Sequence, residues 1–419
     1  MLDMKFIRAN TELVRAAIIN KNEKANLDVI LELDEQRRKL QFDFDTLKSK
    51  QNAVSGEIAK RKKLGEDAAD LIAQMGSVAE EIKQISADLS TCNNDLEKAL
   101  LTVPNIPFES VPVGRDESAN RIIRDWGKKP DFSFEPLDHL SIAEKNGLLD
   151  LARGAKISGS GFPVYTAEGA RIERCLINYM LEYHRQKHGY TEMGVPILVN
   201  RPTMTGTGQL PKLENDMYHV DEDDLFLIPT AEVPVTNLHS GEVLSLTSLP
   251  IKYVAYTPCF RREAGSYGKD TRGLQRLHQF NKVEMVRFVE PETSYNALEE
   301  MLHDAEDILQ AFGLHYRVVE LCTGDLSFAS AKTYDLEVWA PGTGRYLEVS
   351  SVSNFESFQA RRSGIRYKDA EGKMQFVHTL NGSGLATPRL MIAILETYQQ
   401  TDGTLGIPSV LKPWLELKI

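Results

Sequence analysis

The sequence predicts an α+β protein in two parts: an antiparallel sheet flanked by helices, preceded by an antiparallel two-helix coiled-coil arm. Two observations carry this. Residues 27 to about 101 repeat every seven positions, the period of a coiled-coil seam. After residue 138 the chain changes to short apolar or alternating runs mixed with amphipathic helices. Strands without regular βα alternation argue for an antiparallel sheet. The expected division is 1–103 for the arm, 104–138 for a linker and 139–419 for the second domain. A chain of 419 residues has room for two or three domains at roughly 150 residues each.

In the arm, one row of the repeat is Leu33, Leu40, Leu47 and Val54. Its partner row is Ile30, Arg37, Phe44, Gln51 and Ile58, with two polar interruptions. The run breaks at Leu64-Gly65-Glu66-Asp67. It resumes with Leu71, Val78, Ile85, Cys92 and Ala99 beside Met75, Ile82, Leu89 and Leu96. Two such helices about one glycine turn make an antiparallel hairpin. At about 1.5 Å per residue the hairpin projects roughly 50 Å. A two-helix arm buries a single seam, so it builds a poor core and a good lever.

Lys60-Arg61-Lys62-Lys63 precedes the turn, with Arg37, Arg38, Lys39, Lys48 and Lys50 further back. Charge alone leaves two readings open. Long helices carry solvated charges for solubility, and Asp28, Glu32, Asp34, Glu35, Asp43 and Asp45 dilute the basic side. Against that, four cations stand together in a chain whose 49 Lys and Arg are outnumbered by 60 Asp and Glu, for a net charge of −11. Such a run favours phosphate binding. An evenly spread surface of that sign repels nucleic acid, so a nucleic-acid partner requires a local basic patch.

Composition excludes other classes. With 42% hydrophobic and 26% charged residues, the chain is neither disordered nor collagen-like. Cys92, Cys175, Cys259 and Cys322 are far apart and form no C-x-x-C. That argues against a disulfide framework or a zinc site and fits a reducing cytosol. The opening MLDMKFIRANTELV has charges inside its apolar stretch, unlike a signal peptide. No run of about 18 apolar residues is present to span a membrane.

Pro104, Pro107, Pro112, Pro130 and Pro136 stop the second helix and make the linker irregular. Runs at 225–238, 252–259 and 275–290 read as strands, and 169–188, 293–312 and 384–399 as amphipathic helices. In 260–284 the glycines Gly265, Gly268 and Gly273 indicate a long loop between two strands. On the second strand, alternation puts Arg276, His278, Phe280, Lys282 and Glu284 on one face. Lys269 and Arg272 add charge from the loop, and Arg261 and Glu263 from the entering strand. Such a hairpin suits a polyphosphate, with the Phe as a platform for a base. An exposed, salt-bridged hairpin fits the charge pattern equally well.

These residues carry a resemblance. The segment resembles motif 2 of the class II aminoacyl-tRNA synthetases in its seryl form. Thr230-Ala231-Glu232 is similar to that family's serine-binding T-x-E. Glu348-Val349-Ser350-Ser351-Val352-Ser353-Asn354 is similar to its metal and ATP strand, and Asn381 through Arg389 (NGSGLATPR) to motif 3. The stretch Gly206-Thr207-Gly208-Gln209-Leu210-Pro211 resembles another family segment. The helix at 169–188 with the strand around Gly194-Val195-Pro196 resembles motif 1, the dimer interface. The N-terminal hairpin is similar to the family's tRNA arm, so the resemblance covers essentially the whole chain.

The resemblance implies roles. Arg261 grips the α-phosphate, Glu263 accepts from the adenine amino group, and Phe280 is the adenine platform. Arg262 completes that ATP stretch with them. Arg389 covers the other face of adenine and reaches the γ-phosphate, to which Arg276 is a second ligand. Glu348 and Ser351 hold the divalent metal, on a strand that includes Val349 and Ser350. Thr230, Ala231, Glu232, Glu284 and Ser383 surround serine, and Arg37, Arg38, Lys60, Arg61, Lys62 and Lys63 meet tRNA. The implied activity is formation of seryl-adenylate from L-serine and ATP with Mg²⁺, then transfer to the 3′ end of tRNA(Ser), and of tRNA(Sec) where a host has one. A cytoplasmic homodimer without zinc or membrane attachment is the implied setting. Two other readings are a nucleic-acid-binding protein with an inactive synthetase body and a relative that loads carrier proteins. Intact Arg261, Glu284, Glu348 and Arg389 oppose the first. The full-length arm opposes the second.

Glu348 and Ser351 are three apart, so a regular strand points them to opposite faces; a bulge or the ion itself must reconcile them. Ala386-Thr387-Pro388-Arg389 departs from the family's usual Val-Gly before the Arg, and Arg262 replaces a frequent serine. Pro388 suits the first turn of a following helix, which keeps Arg389 in place. Other features have plain readings. His184 and His188 read as a surface pair, Gly159-Ser160-Gly161 as a turn, and Cys259 as a small core residue. Met391, Ile392, Ile394 and Leu395 read as the buried face of the last long helix. Without the resemblance, Glu232 and Glu348 read as surface carboxylates.

Overall fold

The structure, a computed structural model, describes residues 1–264 and 273–416. Leu2–Ile19 and Glu23–Pro104 pack into one compact unit; Met1, Asn20–Asn22 and the chain from Asn105 onward pack into another.

The first unit holds α1 (Met4–Ala9), α2 (Thr11–Asn20), α3 (Leu27–Leu64) and α4 (Ala69–Leu100). Asn26 caps α3 through its side chain, and Gly65 ends it in the left-handed region at φ 76°, a conformation glycine adopts without a Cβ penalty. The predicted seam positions of α3 and α4 are buried or half-buried, with exposed residues between them. Cys92 Sγ reaches the Leu33 carbonyl across the pair at 3.4 Å, so the two helices are antiparallel. The seam has one buried acid. Asp34 is wholly buried and holds Arg8, Arg37 and Arg38 at 2.6, 2.8 and 3.1 Å.

The second unit runs β1 (Arg121–Trp126), α5 (His139–Asn146), α6 (Leu151–Ser158), α7 (Ala167–Lys187), β2 (Thr191–Glu192), β3 (Leu198–Asn200), α8 (Arg201–Thr207), β4 (His219–Val220), β5 (Leu225–Leu227), α9 (Glu232–Thr236) and β6 (Val243–Leu244). It continues with β7 (Ile251–Phe260), β8 (Gln279–Val289), α10 (Ser294–Ala311), β9 (Tyr316–Glu320), β10 (Lys332–Ala340), β11 (Arg345–Asn354), α11 (Phe358–Ser363), β12 (Arg366–Lys368), β13 (Met374–Phe376), β14 (His378–Ala386), α12 (Thr387–Thr397) and α13 (Lys412–Glu416). Eight strands form one sheet in the order β1-β9-β10-β11-β14-β8-β7-β2. Every pairing in it is antiparallel except β2 with β7. Helices α7, α10 and α12 cover it with one large apolar cluster, to which α12 gives Leu390 through Leu395. Among the described residues no helix is long and apolar enough to cross a membrane.

The structure corrects several expectations. The 104–138 stretch is not wholly irregular, because β1 pairs along β9, and a ladder to a strand nearly two hundred residues away leaves no local signature. In 225–238 only Leu225–Leu227 is strand: Pro229 interrupts, and Glu232 opens a short helix, since proline cannot donate to a ladder. In 384–399 the strand continues to Ala386 and α12 starts at Thr387, with Pro388 in its first turn as expected. Gly194-Val195-Pro196 itself lies outside any strand, between Thr191–Glu192 and Leu198–Asn200. His184 and His188 are no surface pair. His184 is wholly buried and donates from Nε2 to the Gly384 carbonyl at 2.8 Å; burial lowers its pKa to about 4. His188 lies 3.1 Å from the Asp307 carboxylate. Gly161 belongs to a turn pressed on His278: a Cβ there meets the imidazole at 2.4 Å.

Candidate active site

The sheet positions a cavity of about 530 Å³. Strand β8 gives it Phe280, Lys282 and Glu284, alternate residues on one face as the sequence predicts. Arg276 also lines it but precedes the strand. His278 turns away, with Nδ1 3.0 Å from the Arg261 carbonyl. Arg261 and Glu263 enter from the end of β7, Thr230 and Glu232 from the start of α9, Asn381 and Ser383 from β14, and Arg389 from the first turn of α12. Lys269 and Arg272 lie outside the described residues.

At one end two carboxylates are buried. Glu284 is wholly buried, pairs with Lys282 at 2.5 Å and accepts from Asn381 Nδ2 at 2.6 Å. Ser383 is its ladder neighbour. Glu232 is also buried, not a surface carboxylate. Its Oε1 accepts from Gln359 Nε2 at 2.7 Å, and its backbone N–H donates to Thr230 Oγ1 at 3.2 Å. Burial, and then the Glu284 charge, raise its pKa to about 7, against the opposing pull of Gln359, Lys282 and Arg261.

At the other end are cations and a ring. The Arg261 guanidinium lies 5.1 Å from the Phe280 ring centre, within cation–π range. Arg276 pairs with Glu263 at 3.1 Å. Arg389 donates to the backbone carbonyl of Glu348 at 2.8 Å and to its carboxylate at 3.2 Å.

The spacing problem on β11 is solved by a bulge. Ser350 pairs with Leu336 and Glu348 with Glu337, which leaves Val349 as the extra residue. Glu348 and Ser351 therefore share a face with Asp335 and Glu337 of β10. Burial, and then the Glu348 charge, push Asp335 well above the usual carboxylate range. Its Oδ1 is buried without a hydrogen-bond partner among the described residues. These oxygens also line an extension of the cleft of about 850 Å³, with Arg317 and Arg345. Carboxylate and hydroxyl oxygens of this kind suit a hard divalent cation. No cluster of three or more His, Cys, Asp or Glu side chains fit to hold a metal is present among the described residues.

Three of the expected residues do not line the cavity. Ala231 is buried in an apolar cluster, Arg262 bonds through its backbone N–H to the Asp216 carbonyl, and Ser350 Oγ donates to the Ser383 carbonyl at 2.6 Å. Val349 does line it. The sequence assigns no role to four contributors: Lys282, Asn381, Gln359 and Asp335. Alternation on β8 and the motif 3 stretch point to the first two. Nothing local marks the others. In the helical unit, Lys60, Lys62 and Lys63 are exposed. Arg61 lies 3.6 Å from both Glu57 and Asp70, while Arg37 and Arg38 are engaged by Asp34.

Comparison with known proteins identifies the family. Residues 214–398 match the tRNA synthetase class II core domain (G, H, P, S and T), and residues 1–107 the seryl-tRNA synthetase N-terminal domain. The serine–tRNA ligase of Geobacter sulfurreducens is 53% identical over 99% of this chain and 98% of its own. That of Caldicellulosiruptor bescii is 54% identical over 99% of each. Among solved structures, seryl-tRNA synthetase from Pyrococcus horikoshii complexed with ATP superposes with a TM-score of 0.94 at 38% identity, over 100% of this chain and 99% of that one. The chain therefore belongs to the seryl-tRNA synthetase family of class II aminoacyl-tRNA synthetases.

Proposed function

We propose that this chain activates L-serine with ATP to seryl-adenylate and passes the seryl group to the 3′-hydroxyl of the terminal ribose of tRNA(Ser), and of tRNA(Sec) where its host has one. The observation that carries this reading is the polarity of the cleft, with buried Glu232 and Glu284 at one end and Arg261, Arg276, Arg389 and the Phe280 ring at the other.

Activation is an in-line attack of the serine carboxylate on the α-phosphorus. It needs no protein nucleophile. The chain must hold two anions together and neutralise the phosphates. Arg261 takes the α-phosphate, and Arg276 and Arg389 take the γ-phosphate. Adenine lies between Phe280 and Arg389, with Glu263 accepting from its amino group. Glu348 and Ser351, brought to one face by the Val349 bulge, would hold Mg²⁺, with Asp335 beside them. When bound, the ion supplies further charge neutralisation on the phosphates. Glu232 and Glu284 meet the serine ammonium and hydroxyl with Thr230 and Ser383. A site built to bond a hydroxyl rejects alanine, because its own groups are then left unpaired. Arg262, Val349 and Ser350 support the nucleotide site and Ala231 the serine site through the backbone.

The helical unit serves tRNA, with the exposed Lys60, Lys62 and Lys63 on phosphates. The enzyme works as a homodimer in the cytoplasm, where reducing conditions keep its buried thiols free. Charging assays with tRNA(Ser) transcripts test the reading. Full-length protein should charge transcripts that carry the long extra arm. It should fail on transcripts without it, and equal charging of both would refute recognition of tRNA shape by the hairpin.

A further inference from the structure

Strand β14 reaches both buried carboxylates from one face. Thr379, Asn381 and Ser383 alternate along it. Asn381 donates directly to Glu284 at 2.6 Å. Thr379 reaches Glu232 indirectly: its hydroxyl donates to Gln359 Oε1 at 2.7 Å, and Gln359 Nε2 donates to Glu232 Oε1 at 2.7 Å and to the Thr207 carbonyl at 3.3 Å. Thr207, Gln359 and Thr379 are each at most 2% exposed, so bulk water does not reach these three groups to replace a missing partner. The amide is also fixed in direction. A flip sets its oxygen against two acceptors, Glu232 and the Thr207 carbonyl, at the cost of leaving both unsatisfied.

We propose that Gln359 is a positioning residue for amino-acid recognition, a one-way donor that holds Glu232 facing the cavity as the acceptor for the substrate ammonium. This rests on the reading of Glu232 as a serine contact. Other groups around Glu232 cannot replace that donor. Glu284 on β8 is a like charge, and Lys282 is committed to it. Arg261, beyond β7, faces the Phe280 ring. On α11, Arg362 donates to the Thr205 and Leu210 carbonyls. Helix α8 gives its Thr207 carbonyl to the same amide, the Thr207 hydroxyl makes no hydrogen bond among the described residues, and Asn381 of β14 is committed to Glu284. Gln359 thus supplies the neutral hydrogen bond that favours ionised Glu232 over its protonated form.

The test is pyrophosphate exchange by full-length Gln359→Met over pH 6–9, with Glu232→Gln alongside. In Gln359→Met the KM for serine at pH 7 should rise about tenfold or more, the scale of one hydrogen bond to a charged group. The KM for ATP should stay within about twofold. Removing the donor raises the Glu232 pKa, so the pH at which serine affinity is recovered should move upward and high pH should partly rescue the variant. A purely structural role lowers thermal stability or kcat without moving that midpoint. An unmoved midpoint with an unchanged serine KM overturns the inference, as does an equal rise in the KM for ATP. If Glu232→Gln keeps its serine KM, the underlying reading of Glu232 fails; if it loses serine dependence while Gln359→Met is silent, only the role of Gln359 fails. Should Gln359→Met not fold, Thr379→Val releases the amide while keeping it, and the serine KM should rise in the same direction by a smaller factor. No rise in that variant overturns the inference.

Discussion

Lys282 and Glu284, two residues apart on β8, form a 2.5 Å ion pair whose carboxylate is wholly buried. Lys282 is buried as well, so removing either member leaves an uncompensated charge. Glu284→Ala should cost about 2–4 kcal/mol in serine activation, the scale of a charged hydrogen bond removed from a buried partner. Lys282→Met leaves a buried carboxylate uncompensated, and should also lower folding stability by about 3–5 kcal/mol. Exchange kinetics and denaturant unfolding of both variants measure this. Unchanged stability in Lys282→Met would show that the pair is not charge-compensated as its geometry indicates.

The Glu232 carboxyl, raised to about 7 by burial and by Glu284, gives a pH dependence with a definite sign. The folded chain holds this proton more tightly than the unfolded chain, whose value is about 4.3. Its stabilising contribution is complete below about 4.3 and is lost as pH rises through about 7. Glu232→Gln stays neutral throughout. At pH 8 it should melt no lower than the parent, and by up to a few degrees higher, while serine activation falls at least tenfold. A lower melting temperature at pH 8, measured by calorimetry, would contradict this.

Arg261→Ala and Arg389→Ala should both depress adenylate formation before tRNA matters. Arg389 also ties the first turn of α12 to β11 through the Glu348 carbonyl. Arg389→Lys should recover only part of the activity, since an ammonium cannot lie flat on a base. Normal pyrophosphate exchange with defective tRNA charging in either alanine variant would reassign that arginine.

Legibility follows the range of the interactions. The arm is readable because the residues that pack together recur every seven positions along each helix, and the face of β8 because alternation is local. The 104–138 stretch hides β1, whose partner β9 is remote in sequence. Gln359 and Asp335 carry no signal, because what matters in each is a partner from another element. The Val349 bulge is foreseeable only as one of two ways to reconcile Glu348 with Ser351. His184 reads as a surface residue because a polar side chain near a helix end usually meets water, whereas here the Gly384 carbonyl satisfies it.

The charges of the helical unit should not contribute equally to tRNA binding. Arg37 and Arg38 are engaged by Asp34 and Arg61 lies near Glu57 and Asp70, while Lys60, Lys62 and Lys63 are exposed. Replacing these three lysines by Gln should weaken binding and make the salt dependence shallower, by up to about 0.9 in log–log slope for each phosphate that is no longer neutralised. Arg37→Ala should act mainly on stability. An unchanged slope in the triple variant, measured by filter binding from low to high salt, would make these lysines a solvated tip.

Serine activation in the cleft is tested most directly by ATP–pyrophosphate exchange with each of the twenty amino acids in turn, with tRNA left out. Serine alone should support exchange, and it should do so equally when residues 30–98 are replaced by a short Gly-Ser linker, since every residue assigned to the chemistry lies in the second unit. Exchange supported by a different amino acid, or none with serine, would contradict the assignment of Glu232 and Glu284 as a serine site.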